Sequence, residues 1–268
     1  MLYVKRSDFI YKNASTVVTV GNFDGFHRGH RALIEKINKI KLCRGLKSVA
    51  FSFNPRPKDV FKGTTSKSIL SLEERVEVAK NLDIDLLVEY PFSLEFSRMS
   101  GEDFIKNILI GQFSAKELAV GAGFAFGKDR VWNAEKIQEI SPDLGIEVII
   151  LPHELSNNEK ISSTTIREYL KNGEINKANE LLGYDYFLKG TVSDIVEKNF
   201  IIKADDKKIL PKNGEYITET RLEDGKTYQS ITNVDSNDCI QTQIRQLKDS
   251  LCGETLTIMF KERVNKGF

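Results

Sequence analysis

The apolar positions of this chain keep two rhythms. Up to Gly183, short β-branched runs alternate with stretches in which apolar residues recur every three or four positions. Val17, Val18 and Val20 belong to the first run (17–20), and Leu33, Ile34, Ile37 and Ile40 then hold helical spacing until Gly45 ends it. "KSVAFSF" (47–53), "IDLLVEY" (84–90), "KELAVG" (116–121) and "IEVIIL" (146–151) read as further strands. Between them, "SLEERVEVAKNL" opens with Ser71 and Glu74 at capping-box spacing, Ser100 stands ready to cap "GEDFIKNILIGQF", and "NAEKIQEI" is helical. Strands alternating with helices predict an α/β domain, a parallel sheet with helices on both faces. After Gly183 the rhythm becomes two. "YFLKGTVSDIV", "NFIIKA", "EYITET", "TYQSITNV" and "TLTIMF" are five strand-like runs, punctuated by "KNGE" and "EDGK". They predict a small antiparallel barrel or sandwich, with the boundary between the parts near Gly183 to Tyr186.

Composition narrows the functions available. A chain of 268 residues with 40% hydrophobic content can bury a full core, and 39 basic against 38 acidic residues make no field that would gather nucleic acid. Cys43, Cys239 and Cys252 are odd in number, widely spaced and without a CxxC pair. They suggest neither a disulfide framework nor a zinc site, which fits a cytoplasmic location. No run approaches the roughly 20 apolar residues of a spanning helix, so no membrane role is expected, and the oligomeric state is left open.

The densest chemistry lies in "VVTVGNFDGFHRGHRALIEKI" (17–37). A turn after the first parallel strand sits at the carboxyl edge of the sheet, where open α/β folds bind ligands, and the next helix aims its N–H groups there. An anion is the expected ligand. The spacing matches neither GxGxxG nor GxxxxGK[ST]. Instead His27 and His30 stand one helical turn apart, able to donate ring N–H bonds to phosphate oxygens, with Gly29 between them leaving room for a polyphosphate. The helix dipole contributes about 0.3–1 kcal/mol at such a site, so the histidine bonds would be the larger effect.

"GNFDGFHRGH" resembles the HxGH signature of the nucleotidylyltransferase superfamily, and within it the bacterial bifunctional riboflavin kinase/FMN adenylyltransferases. "FSFNPRPKDVF" (51–61), "ELAVGAGFAFGKDR" (117–130) and "ISSTTIREYLKNGEINKANELLG" (161–183) resemble that family's later motifs, in its order and at its spacing. The resemblance implies a Rossmann-like adenylyltransferase domain over 1–185 and a riboflavin-kinase-like β-barrel over 186–268. It implies AMP transfer from ATP to FMN with Mg²⁺, giving FAD and pyrophosphate. His27, His30 and Arg167 would then be catalytic, and Gly21, Asn22, Phe23, Asp24, Gly29, Ser162, Ser163 and Thr164 would bind ATP. Asp24 would also be the candidate for placing Mg²⁺, although an Asp in a Gly-rich turn is equally a turn former. Likewise Thr165 with Glu168 makes a plain capping box that could account for the third motif without any nucleotide. Asn54, Arg56, Gly123, Phe124 and Phe126 would face the flavin, with Phe124 and Phe126 readable as core instead. Gly123 departs from the family's usual Asp or Asn, which puts the acceptor in question.

The C-terminal part departs further. The Gly-rich loop with its Pro-Thr-Ala-Asn motif is absent, and the kinase's general-base Glu falls at Gln241, whose amide has no useful basicity. An FMN adenylyltransferase without riboflavin kinase activity is expected. The alternatives are a non-catalytic nucleotide- or flavin-sensing relative, or a transferase acting on another phosphomonoester.

Overall fold

The computed structural model describes every residue except 127–130, 153, 157–158, 246–250 and 265–268. Packing divides the chain into two units, Met1–Ser66 with Arg75–Lys160, and Lys67–Glu74 with Ile161–Phe268. The motif boundary expected at 185/186 and this packing boundary differ: residues 161–185 pack in the second unit, together with a short segment from the middle of the N-terminal region.

In the first unit, strands β1 (Leu2–Val4), β2 (Thr16–Val20), β3 (Lys47–Asn54), β4 (Leu86–Pro91) and β5 (Ala115–Gly121) precede two short strands, β6 (Ala125–Phe126) and β7 (Trp132–Asn133), which pair with each other. β8 (Glu147–Leu151) and a second small pair, β9 (Leu155–Ser156) with β10 (Glu159–Lys160), follow. The main sheet runs β1-β4-β3-β2-β5-β8, every neighbour parallel. Strand order therefore grows outward from β2 through β3 and β4 on one side and β5 and β8 on the other, with β1 added beyond β4, and the reversal between β2 and β5 is the crevice where such sheets bind ligands. All five residues of β2 are buried, which is why it reads as a continuous apolar run. The helices are α1 (Arg28–Arg44), α2 (Pro57–Lys62), α3 (Leu72–Asn81), α4 (Gly101–Asp103), α5 (Gly111–Phe113) and α6 (Ala134–Leu144), with a π-wound stretch, Phe104–Ile110, joining α4 to α5. Ser100 caps this composite helix as expected, its hydroxyl accepting from the Asp103 N–H at 3.0 Å. Gly101 at its start admits the Trp132 ring, which a Cβ would meet at 2.3 Å.

The second unit holds α7 (Ser163–Asn172), α8 (Ile175–Leu182) and six strands: β11 (Phe187–Val196), β12 (Asn199–Ala204), β13 (Gly214–Arg221), β14 (Thr227–Val234), β15 (Ile240–Ile244) and β16 (Thr255–Arg263). They close into an antiparallel barrel, β11-β12-β15-β14-β13-β16, so the barrel alternative holds and the sandwich does not. β15 is the strand missing from the pattern of five; its alternation, with Ile240, Thr242 and Ile244 inward, is short and its middle inward residue polar. Thr218, Thr220, Ser230, Thr232 and Thr242 are all buried, and their hydroxyls form one chain, Thr220–Ser230–Thr218–Thr232–Thr242, with links of 2.8–2.9 Å.

The segment 67–74 lies along this barrel. Ser68 exchanges backbone bonds with Lys207 and Ile209, and the fully buried Lys208 ammonium donates to Ile69 O at 2.8 Å and to Glu74 Oε2 at 2.5 Å. Glu74 completes the capping box expected with Ser71 and also accepts from the Lys189 N–H. The Lys208 ammonium further rests 4.7 Å from the centre of the Tyr186 ring. A buried ion pair is tolerable only when such bonds satisfy both ions, and here they do.

Candidate functional site

The turn leaving β2 is strained and fully packed. Phe23, Gly25 and Phe26 all have left-handed backbones, with φ of 45°, 88° and 38°. Glycine adopts this freely, but for the two phenylalanines it costs about 1–3 kcal/mol each. Burying each ring completely returns about 1.5–3 kcal/mol, a comparable amount. The rings stack 5.6 Å apart, and Arg31 Nε donates to Phe26 O at 3.1 Å. Gly21 is needed for closeness here, since a Cβ would sit 3.2 Å from the Phe23 ring. Phe23, expected at the nucleotide, is thus a plug beneath the turn, whereas Asn22 is exposed above it.

The two histidines follow directly. His27 is the N-cap of α1, its Nδ1 accepting a long 3.4 Å bond from the His30 N–H. In the neutral ring that places the proton on Nε2. His30 stacks on His27, centroids 3.6 Å apart and planes within 16°, and its other side meets Phe23 at 5.1 Å. Burial and then the nearby His27 hold the His30 ring well below the ordinary imidazole pKa, so it is neutral near pH 7. Its Nδ1 is buried and has no hydrogen-bond partner among the described residues. A buried polar atom left unbonded costs about 1–3 kcal/mol, and such atoms gather where a ligand completes them. A Cβ on Gly29 would make ordinary contact with the His27 ring at 3.5 Å, so this glycine is not demanded by the fold.

Asp24 is buried and paired. Arg56 Nη1 lies 2.9 Å from Asp24 Oδ2, and Arg56 Nε 3.0 Å from Asp59 Oδ2. Among the described residues, no group of three or more His, Cys, Asp or Glu side chains is disposed to hold a metal ion. Asn54 donates to Glu89 Oε2 at 2.8 Å; Glu89 is itself fully buried, and Tyr3 and Arg75 donate to it as well. That network pushes the Tyr3 hydroxyl upward, chiefly by burial and then by the bond to Glu89.

Of the residues expected beside the flavin, Phe126 is buried in an aromatic cluster, stacked on Phe104 at 4.3 Å and near Phe53 and Phe96. Its core reading is the one its surroundings favour. Phe124 packs on the same cluster but stays part-exposed, and Gly123 sits in the turn after β5; the following "GKDR" (127–130) lies outside the described residues. Phe61 on α2, not singled out from the sequence, leaves 62% of its surface exposed, with its ring 5.9 Å from Phe92. The available signal was an aromatic next to Lys62 at the end of a six-residue helix.

In the second unit, Ser162 caps α7: its hydroxyl accepts from the Thr165 N–H at 3.1 Å and meets the Thr165 hydroxyl at 2.9 Å. The plain capping box with Thr165 as cap is therefore not formed, because the helix begins two residues earlier, at Ser163. Ser163 and Thr164 occupy its first turn, where backbone N–H groups point out of the helix end. Arg167 Nη1 donates to Ser163 O at 3.3 Å, which folds the guanidinium back toward that end.

Comparison with known proteins adds the remaining evidence. A sequence model of the FAD synthetase family matches residues 10–165. The bifunctional riboflavin kinase/FMN adenylyltransferase of Listeria monocytogenes is 28% identical over 236 residues, 85% of this chain and 74% of that protein. Its namesake from Buchnera aphidicola subsp. Schizaphis graminum is 34% identical over 182 residues, 67% of this chain and 58% of that one. Among solved structures, one described as a macrolide-efflux protein from Streptococcus pneumoniae superimposes with a TM-score of 0.89 at 24% identity, covering 100% of this chain and 92% of that one. At that identity the likeness establishes the fold alone.

Proposed function

Because this chain belongs to the FAD synthetase family, whose members are nucleotidyltransferases, we propose that it adenylates FMN and does not phosphorylate riboflavin. An oxygen of the FMN phosphate attacks the α-phosphorus of ATP, the bond from that phosphorus to the bridging oxygen breaks, and pyrophosphate departs. No residue becomes covalently attached, so the protein's work is positioning and charge stabilisation. The observation carrying this reading is the stacked His27–His30 pair at the start of α1, with a buried ring nitrogen of His30 that has no hydrogen-bond partner among the described residues. His27 would donate through Nε2 to an ATP phosphate. His30, neutral in the free protein, gains a reason to take up a proton only when phosphate charge arrives, which matches charge that develops during transfer.

Ser162, Ser163, Thr164 and Arg167 are assigned the remaining ATP contacts: Ser163 and Thr164 by their hydroxyls and first-turn amides, Arg167 by its charge. Ser162, already the helix cap, would act mainly by setting that turn. Mg²⁺ would neutralise the β- and γ-phosphates. Asp24 is one carboxylate, already paired with Arg56, so the ion's oxygens would come mostly from the nucleotide and water. Phe61 offers an exposed aromatic face for an isoalloxazine ring, and Phe124 a second edge.

Two features support the loss of kinase activity. β11 and β12 are joined by only Glu197 and Lys198, both left-handed at φ 48° and 71°, a tight hairpin with no Gly-rich loop in it. Gln241 stands between the inward Ile240 and Thr242 on β15, its amide 4.0 Å from Cys239 Sγ. The test is to incubate the protein with ATP and Mg²⁺ and either FMN or riboflavin, then separate the flavins. FAD from FMN, with riboflavin untouched even in Gln241→Glu, is expected. FMN formed from riboflavin would refute the kinase half of the proposal. Pyrophosphate release with a phosphomonoester other than FMN would instead favour the second reading, to which Gly123 points.

A further inference from the structure

We propose that Arg56 is a positioning residue, a guanidinium crossbar fixing Asp24 and α2 to one another, and not a ligand for the acceptor's phosphate. This rests on the adenylyl-transfer reading only where turnover is concerned. Three nitrogens of the guanidinium serve three segments. Nη1 holds Asp24 in the turn after β2, Nε holds Asp59 in the first turn of α2, and Nη2 donates to the Ser66 carbonyl beyond that helix. A planar fork with fixed donor directions suits this task, as a lysine ammonium would not. The three side chains are little exposed: 16% for Arg56, 5% for Asp24 and 10% for Asp59.

Charge decides between the two roles. The guanidinium already faces two carboxylates, Asp24 and Asp59. An incoming phosphate monoester carries about −1.5 to −2 near neutral pH, so it would meet repulsion there. Asp59 is anchored independently of Asp24. Its Oδ1 accepts from the Ser66 hydroxyl at 2.6 Å, and its Oδ2 faces the Ser66 N–H at 3.5 Å. Burial pushes its carboxyl up, but the Ser66 bond and the Arg56 charge outweigh burial and keep it below the usual carboxylate range. The order of support is thus Ser66, Asp59, Arg56, Asp24. Among the described residues Asp59 bonds to Arg56 and Ser66 and to nothing in the turn it would steady, so its influence on that turn has to pass through Arg56.

The two roles predict opposite results for Asp59→Asn. As a phosphate ligand, Arg56 would be released and made more positive, and FMN would bind more tightly. As a crossbar, Arg56 would lose its aim, and Asp59→Asn would imitate Arg56→Gln. Hydrogen exchange of backbone amides in 21–26 and 63–66, followed in the ligand-free protein, reads this without any catalysis. Each single variant is expected to speed exchange in both segments by about 10-fold or more, and the double variant Arg56→Gln/Asp59→Asn to add little beyond Arg56→Gln. With FMN and ATP, kcat should fall while the KM for FMN stays within about 3-fold, and Arg56→Lys should restore only part of the loss. Ser66→Ala, which removes only the hydroxyl, gives a milder version should Asp59→Asn fail to fold. Unchanged exchange in 21–26 would overturn the crossbar, as would a KM for FMN raised about 10-fold or more by Arg56→Gln with Asp59→Asn neutral or tighter. If wild-type protein forms no FAD, the adenylyl-transfer reading fails while the exchange experiment still decides the crossbar.

Discussion

Two regions of the molecule, the Lys208–Glu74 pair with the barrel's hydroxyls and the turn after β2, bury polar groups in opposite ways. In the second unit, Lys208 and Glu74 answer each other and use their remaining capacity on Ile69, Ser71 and Lys189, while five hydroxyls in the barrel bond among themselves. In the first, His30 is held neutral with a buried nitrogen unbonded, above a turn whose phenylalanines sit in a costly backbone region. The difference teaches where to look for function: not at burial alone, but at a buried atom without a partner that stands beside residues able to hold a ligand.

That contrast can be broken by mutation, and the largest effect should come from the closed side. Lys208→Met leaves the Glu74 charge buried alone and should cost about 3–5 kcal/mol in denaturant unfolding, with Glu74→Gln in the same chain recovering much of it. A loss below about 1 kcal/mol would mean the pair is not closed as described. On the open side, His30→Ala should lower FAD formation by about 10²-fold or more, measured as pyrophosphate release, while stability changes little. Retained turnover would end the phosphate role. Next, Thr232→Val cuts the hydroxyl chain at an inner link and strands its neighbours, for an expected loss of about 1–3 kcal/mol and no change in KM for ATP. The smallest effect is on pH dependence. Since the folded His30 ring binds its proton less readily than the unfolded one, acid favours unfolding, so stability should fall as pH drops below about 6.5 and be flat above it. His30→Gln should remove part of that slope in thermal melts across pH 5 to 7.5, and an identical slope would show that another group carries it.

Much of this was legible from local pattern. The β-branched runs, the helix stop at Gly45, and the caps at Ser71 and Ser100 depend on neighbours within a few residues, and they stand where the rhythm placed them. What escaped depends on distant partners. Nothing in "DDKKIL" distinguishes Lys208 from Lys207, because the burial of Lys208 is decided by Glu74, which lies 134 positions earlier. Leu2–Val4 is too short to announce itself as the sheet's edge strand, and β15 hides its period behind an inward threonine. At the site, the types of residue were visible but their allegiances were not. Arg56 was expected to face the flavin, and its pairing with the distant Asp24 could not be read from the sequence, although an arginine and an aspartate three apart across Pro57 were a local hint of the pairing with Asp59.

The path of the chain through the second unit has a genetic consequence. Residues 67–74 belong to the unit whose other part begins at Ile161, so the two units are interleaved in the gene rather than placed end to end. A stop codon near position 160 would not release a self-contained N-terminal half. It would leave Ser68, Ile69 and Glu74 without the Lys207, Lys208, Lys189 and Ile209 groups that hold them. Truncation is the simplest mutation by which a lineage discards an idle domain, and interleaving closes that route.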